Sequence, residues 1–133
     1  MSQENVELVI AANDAYNAGD MDAMMSFYAP DVEGYPDAGF PEARPLVGRE
    51  EFMSWLQGID TAWVDAKWVA SEVFALDDGR VVHRGDWGGE GLASGIETAS
   101  SITGVFTIRD RQISRVEWFF DHEEALKAVG LEE

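Results

Sequence analysis

The pair best placed for polar chemistry in this chain is Arg84 and Asp86, separated by Gly85. On an extended strand, residues two apart project to the same side. A guanidinium beside a carboxylate orients it and keeps it charged. Such a pair is either the polar centre of a site or a structural ion pair at a solvated edge, and the spacing alone fits both. The two histidines, His83 and His122, complete no recognisable set. His83 alternates opposite to Arg84 on the same strand, so it faces the other side of the sheet. His122 follows Asp121 at a helix start, where exposure is usual. There is no His-x-x-x-His pair and no facial-triad spacing, and with zero cysteines there is no thiolate site, so no metal is assigned. There is no Gly-x-Ser-x-Gly elbow. The glycines at 88, 89, 91 and 95 lack a P-loop lysine and a following helix, and hairpin turns account for them. No cofactor is expected.

Large aromatics are abundant: Trp55, Trp63, Trp68, Trp87 and Trp118, with Phe119 and Phe120. Most belong to a core. On the last strand Val116, Trp118 and Phe120 form an apolar set, and Arg115 and Glu117 a polar one. Trp118 and Phe120 should therefore line the interior, with Glu117 turned away.

Composition narrows the partners. The chain of 133 residues is expected to form a single domain, 1–133, with one buried pocket. Apolar residues make up 46% of it, which excludes disorder by composition. There is no apolar run long enough for a membrane-spanning helix. The first residues have neither a basic nor an apolar leader segment, so a cytoplasmic location is expected. Only 9 cationic side chains oppose 26 carboxylates, for a net charge of −17. Phosphate backbones and anionic lipid surfaces are repelled at long range, so neither nucleic acid nor membrane is an expected partner.

The elements that must position these residues follow from periodicity. Val6, Val9, Ile10, Asn13 and Tyr16 form a helical stripe over residues 3–18, with Ser2 as cap and Gly19 as stop. Asp20 caps a short second helix carrying Met21, Met24, Met25 and Tyr28 on one face, ended by Pro30-Asp31. Residues 32–35 form a short strand, and residues 36–48, with three prolines, a loop. Phe52, Trp55, Leu56 and Ile59 mark a third helix. After Gly58 the period becomes that of strands. Residues 63–76 and 80–87 are joined by Asp77-Asp78-Gly79, a strong hairpin signal. In residues 97–108, Ser100, Ile102, Gly104, Phe106 and Ile108 point one way and Ser101, Thr103 and Thr107 the other. Arg109-Asp110-Arg111 turns into residues 113–120. Asp121 and Glu124 then open a short last helix ended by Gly130. Three helices, a strand series and one closing helix give an α+β order. Three N-terminal helices pack on a strongly curved, mostly antiparallel sheet, and the space between them is the natural pocket.

The chain resembles the SnoaL-like, polyketide-cyclase-like branch of the nuclear transport factor 2 superfamily. The resemblance spans nearly the whole chain. It rests on Asn17-Ala18-Gly19-Asp20-Met21-Asp22-Ala23, Pro30-Asp31-Val32-Glu33, Val47-Gly48-Arg49-Glu50, Phe106-Thr107-Ile108-Arg109-Asp110 and Asp121-His122-Glu123-Glu124-Ala125-Leu126. It implies a cone-shaped fold, a homodimer and a pocket within the cone. Isomerases, cyclases, hydrolases and proteins without a known reaction share that fold, so fold alone does not fix function. The resemblance to ketosteroid isomerase places its tyrosine at Ala12 and its base at Pro36, beside Asp37, which becomes a secondary base candidate. Similarity to limonene-epoxide hydrolase implies that Arg84 and Asp86 act on a water and an epoxide, but the third acid falls on Trp118. Within the SnoaL-like branch, a frequent histidine position is Gly104 and a frequent aromatic position is Asn13, with Tyr16 the next aromatic.

The resulting expectation is a hydrophobic small molecule held in an aromatic-lined pocket, as an isomerase, cyclase or hydrolase substrate or as the ligand of a non-catalytic scaffold. Arg84, Asp86 and Asp37 are the catalytic candidates. Asn13, Tyr16, Trp55, Ser100, Gly104, Trp118 and Phe120 are the ligand-binding candidates. A homodimer is expected through the open sheet face around Ser101, Thr103, Thr107, His83 and Glu117.

Overall fold

The computed structural model describes residues 2–61 and 63–130. Helix α1 (Ser2–Asn17) buries Val9, Ala12 and Tyr16. Ile10, expected in that stripe, lies about 100° round the helix from Val9 and is 41% exposed. The buried face is thus turned toward Ala12. The side chain of Ser2, the expected cap, lies outside the described residues. Gly19 ends the helix in the left-handed region (φ 79°). The Gly19 and Asp20 amides donate to the Tyr16 and Ala15 carbonyls, both at 3.0 Å, the bond pair of a Schellman end. Asp20 then caps α2 (Met21–Met25) by accepting from the Ala23 amide at 3.0 Å.

Strand β1 (Tyr28–Tyr35) starts earlier than its sequence suggests. Tyr28 does not continue the α2 face, and Pro30-Asp31 lies inside the strand. The cause is parallel pairing with β6 (Gln112–Phe119), which begins at Tyr28 and Ile113 and skips register between Tyr28 and Glu33. A proline is tolerated where the ladder is already irregular. The loop that follows contains a two-residue strand β2 (Leu46–Val47), paired antiparallel with β1. Helix α3 (Arg49–Asp60) buries Phe52, Trp55 and Ile59.

Strands β3 (Trp63–Ala75), β4 (Val81–Gly91) and β5 (Glu97–Arg109) complete a six-stranded sheet of order β2-β1-β6-β5-β4-β3, antiparallel except for β1 with β6. The β5–β6 turn holds Asp110 and Arg111 at φ 53° and 61°, the two left-handed residues that match a hairpin to strand twist. One register shift between β5 and β6 leaves Ser114 unpaired, so Ile113, Val116 and Trp118 all face inward. Helix α4 (His122–Ala128) is capped by Asp121, which accepts from the Glu123 and Glu124 amides. It covers the outer face, where Thr103 Oγ1 and His122 Nδ1 lie 3.0 Å apart. No described helix is long and apolar enough to cross a membrane.

Two glycines separate the demands of the sheet from those of a helix. A Cβ at Gly85 would lie 2.3 Å from the Val69 carbonyl oxygen, whereas one at Gly58, inside α3, meets nothing within 4 Å. Backbone cannot yield as a side chain does. Gly85→Ala should lower the free energy of unfolding in urea by about 2 kcal/mol or more, and Gly58→Ala should raise it by about 0.5–1 kcal/mol. Equal effects at the two positions would contradict the close strand approach at Gly85.

Candidate functional site

Between α1, α3 and the concave side of the sheet lies a cavity of about 50 Å³, walled by Tyr16, Trp55, Trp68, Trp87, Phe106 and Trp118 among others. That is room for a few waters, so aromatic side chains fill most of the cone. Trp55 and Trp118 stack at 5.6 Å with an interplanar angle of 23°. Phe40, from the loop after β1, is buried over the mouth, 5.6 Å from Trp55 and stacked at 4.5 Å on Phe120. The Trp55 indole donates to the Glu42 carbonyl at 3.3 Å, tying the same loop to α3.

Polar groups enter the cavity at two places. At the first, the Tyr16 hydroxyl donates to Asp60 Oδ1 at 2.8 Å and accepts from Trp87 Nε1 at 2.7 Å. Burial raises the Asp60 carboxyl above the usual range, and the bond from Tyr16 opposes that shift. Burial, followed by the negative charge of Asp60, pushes the Tyr16 phenol well up, so it stays a hydrogen-bond donor. At the second, Asn13 and Asn17 grip the backbone of Trp68. Asn13 Nδ2 and Asn17 Nδ2 donate to the Trp68 carbonyl at 2.7 and 3.0 Å, and Asn17 Oδ1 accepts from its amide at 2.8 Å.

Behind Trp68 sits His83. The two rings are 4.0 Å apart, and Phe106 lies beside both, 6.4 Å from His83 and 6.1 Å from Trp68. His83 is 1% exposed, and neither of its ring nitrogens has a hydrogen-bond partner among the described residues. Its cross-strand neighbour is Gly104. A Cβ at Gly104 would lie 2.6 Å from Trp68 Cη2, so glycine is what lets the indole approach so closely there.

The structure divides the sequence candidates sharply. Asn13, Tyr16, Trp55 and Trp118 line the cavity, whereas Gly104 does not and instead lies against Trp68 and Phe106. Phe120 is at the rim, 37% exposed. Ser100 pairs with Trp87 but is exposed on the long β4–β5 arm. Arg84 and Asp86 lie on the outer face. Arg84 borders an open concavity with Glu72, Asp121, His122 and Glu123, and Asp86 is exposed. Alternation along β4 is as expected, but its polarity is inverted: His83 and Trp87 point into the cone, Arg84 and Asp86 away from it. Asp37 uses its carboxylate locally, accepting from the Gly39 amide at 3.0 Å and the Phe120 amide at 3.2 Å. The dimer set changes as well, because His83 faces inward and Thr103 lies under α4. Phe40, Trp68 and Trp87, which line the cavity, Asp60, which accepts from Tyr16, and His83, which lies behind Trp68, are the residues that sequence reasoning missed. The inward partner of an outward Arg84 was the one available signal, for His83.

A family model for the SnoaL-like domain matches residues 9–116. The chain belongs to the SnoaL-like domain family. Among solved structures it is similar to a protein assigned as a polyketide cyclase from Xanthomonas campestris, at 28% identity over 97% of this chain and 98% of that one, with a TM-score of 0.78. It is also similar to Bal32a from a soil-derived mobile gene cassette, at 20% identity over 89% of each chain and a TM-score of 0.80. TerC, co-crystallized with polyporic acid, is 22% identical over 93% of this chain and 96% of that one, with a TM-score of 0.77. No curated protein matches the chain.

The buried imidazole gives this SnoaL-like domain a pH signature. Desolvation pushes His83 down from 6.5 to about 4. Between those values the unfolded chain binds more protons than the folded one, so stability is complete above pH 6.5 and falls as pH drops toward 4. The contribution of His83 to that loss reaches about 3 kcal/mol. Urea unfolding at pH 7 and pH 4.5 should show a distinctly smaller drop for His83→Leu than for the wild type. Identical drops would mean that the imidazole is solvated in the folded protein.

Proposed function

We propose that this SnoaL-like domain binds a flat, largely apolar small molecule inside the cone. The observation that carries the reading is the cavity itself, walled by Trp55, Trp68, Trp87 and Trp118 with Tyr16 as its polar handle. Indole faces give large contact area to a planar ligand at little conformational cost. The polyporic acid of TerC and the polyketide-cyclase assignment of the Xanthomonas relative support an organic ligand of this kind. The net charge of −17 disfavours polyanionic partners. A cytoplasmic location fits a chain without cysteine.

Catalysis is the second reading, and one observation favours it. Tyr16 and Asp60 form a hydrogen-bonded pair whose carboxyl is raised by burial, the kind of perturbed group that recurs at functional sites. In an isomerisation or cyclisation, a protonated Asp60 would donate to the Tyr16 oxygen while Tyr16 turns its own proton to a substrate oxygen, so that proton transfer to the substrate leaves the negative charge on Asp60. A homodimer through the outer sheet face is part of the proposal, resting on the resemblance and on Val69, which is 61% exposed there.

Titration with naphthalene should quench intrinsic tryptophan fluorescence saturably, at one site per chain. Trp118→Ala should weaken that binding about tenfold. Quenching that never saturates would remove the binding reading. For catalysis, Asp60→Asn and Tyr16→Phe should retain naphthalene binding within about threefold while abolishing any turnover the wild type shows. Turnover that survives both changes would place the chemistry elsewhere. Light scattering should give twice the chain mass, and a monomer across salt and protein concentration would reject the dimer.

A further inference from the structure

We propose that His83 is the polar anchor of a deep subsite, covered by Trp68 in this closed arrangement, and that its ligand is a neutral planar aromatic alcohol. This rests on the cavity-binding reading above and adds the functional group the ligand carries. The imidazole is buried among apolar rings, with one nitrogen able to donate and the other to accept, and neither does so among the described residues. An unmade hydrogen bond at a buried polar group is expensive, and a leucine or phenylalanine would fill the position without that penalty. The position therefore points to a group that arrives from outside the chain.

The path to His83 leads through Trp68. That indole lies tilted against the imidazole, 4.0 Å away at an interplanar angle of 49°, and also forms part of the cavity wall. Its backbone is fixed by Asn13 and Asn17, but its ring is held by one long bond, Nε1 to the Ile102 carbonyl at 3.3 Å. Ladder irregularities flank it on both sides, between Val64 and Lys67 and between Ala70 and Glu72. The ring is buried, 8% exposed, yet rotation about its own side-chain torsions would move it without disturbing the clamped strand. When it swings, a flat ligand takes its place over Gly104, which has no Cβ to obstruct it.

The chemistry of the anchor selects the ligand. Desolvation keeps the imidazole neutral at pH 7. A neutral imidazole accepts well from a phenolic hydroxyl. It offers no charge to hold a carboxylate, and no cationic side chain is among those that line the cavity. The surrounding charge of −17 further disfavours anions.

The test compares naphthalene, 2-naphthol and 2-naphthoate by tryptophan fluorescence. In the wild type at pH 7, 2-naphthol should bind about tenfold more tightly than naphthalene, and naphthoate no better than naphthalene. His83→Leu should erase the naphthol preference while leaving naphthalene binding intact. Trp68→Ala should tighten naphthol binding about threefold by removing the cover. In the intact protein, ¹⁵N resonances of the His83 imidazole should shift on addition of naphthol and not of naphthalene, a readout that needs no variant to fold. Saturable naphthalene binding without a His83-dependent preference for naphthol overturns this inference alone. Absence of saturable binding for every probe overturns the cavity reading with it. Weaker naphthol binding in Trp68→Ala overturns the role of Trp68 as a cover.

Discussion

The cone depends on the hydrogen bonds from Asn13 and Asn17 to the backbone of Trp68. Strand β3 is the last in the sheet, so one edge of it has no strand partner. At Trp68 that edge is satisfied by side-chain amides from α1, which take both the amide and the carbonyl. Three bonds fix the helix to the rim of the sheet and set how tightly the cone closes. They also place the Trp68 indole over Gly104 and His83. Removing Asn17 would leave the Trp68 amide unpaired, whereas removing Asn13 would leave the carbonyl with its bond from Asn17, so the larger loss at the helix and the strand edge follows Asn17.

Much of this was legible in sequence, for reasons particular to each element. The β5 set of Ile102, Gly104 and Phe106 faces inward as its alternation predicts, because one face of that strand is apolar and the pattern has a direction. Strand β4 carries no such bias. Val81, Val82, His83, Arg84 and Gly85 alternate without a clear apolar side, so parity could be read but not which side was inside. The natural assumption that charged residues converge on a pocket gave it the wrong polarity. On β6, Val116 and Trp118 against Arg115 and Glu117 gave the polarity unambiguously, and Trp118 lines the cavity with Glu117 turned away. The bulge falls at Ser114, before this set, and so leaves it unaltered. The helix stop at Gly19 and the Asp121 cap were legible because their signals are local. Strand β1 from Tyr28 and strand β2 were not, because parallel and two-residue pairings depend on a partner far away in the chain.

Asp60 shows what periodicity cannot find. It is the last residue of α3, beside the apolar stripe rather than in it, and nothing in the local pattern marks it. Its role arises only when α1 brings Tyr16 to 2.8 Å and β4 brings Trp87 to the same hydroxyl. A carboxylate buried with one neutral donor and no cation is held in a state of raised proton affinity. Arg84 and Asp86, the pair that looked chemical, lie where solvent screens them. The informative polar groups are therefore the few that the fold buries, while the many on the surface set solubility and charge.

The small cavity and the large aromatic lining belong to one design. A space of about 50 Å³ is far below the roughly 300 Å³ of an ordinary ligand pocket, so any organic ligand must displace side chains as it enters. Rings stacked on rings can exchange one partner for another with little net change in buried apolar area. A planar guest replacing Trp68 over Gly104, or sliding beside Trp118, keeps each face covered. A polar guest would have to leave its hydrogen bonds to water, and few groups, Tyr16, Asn13, Asp60 and, with Trp68 swung aside, His83, are there to replace them. The lining thus favours flat, sparingly polar molecules twice, through the area they restore and through the few hydrogen bonds the cone can offer in return.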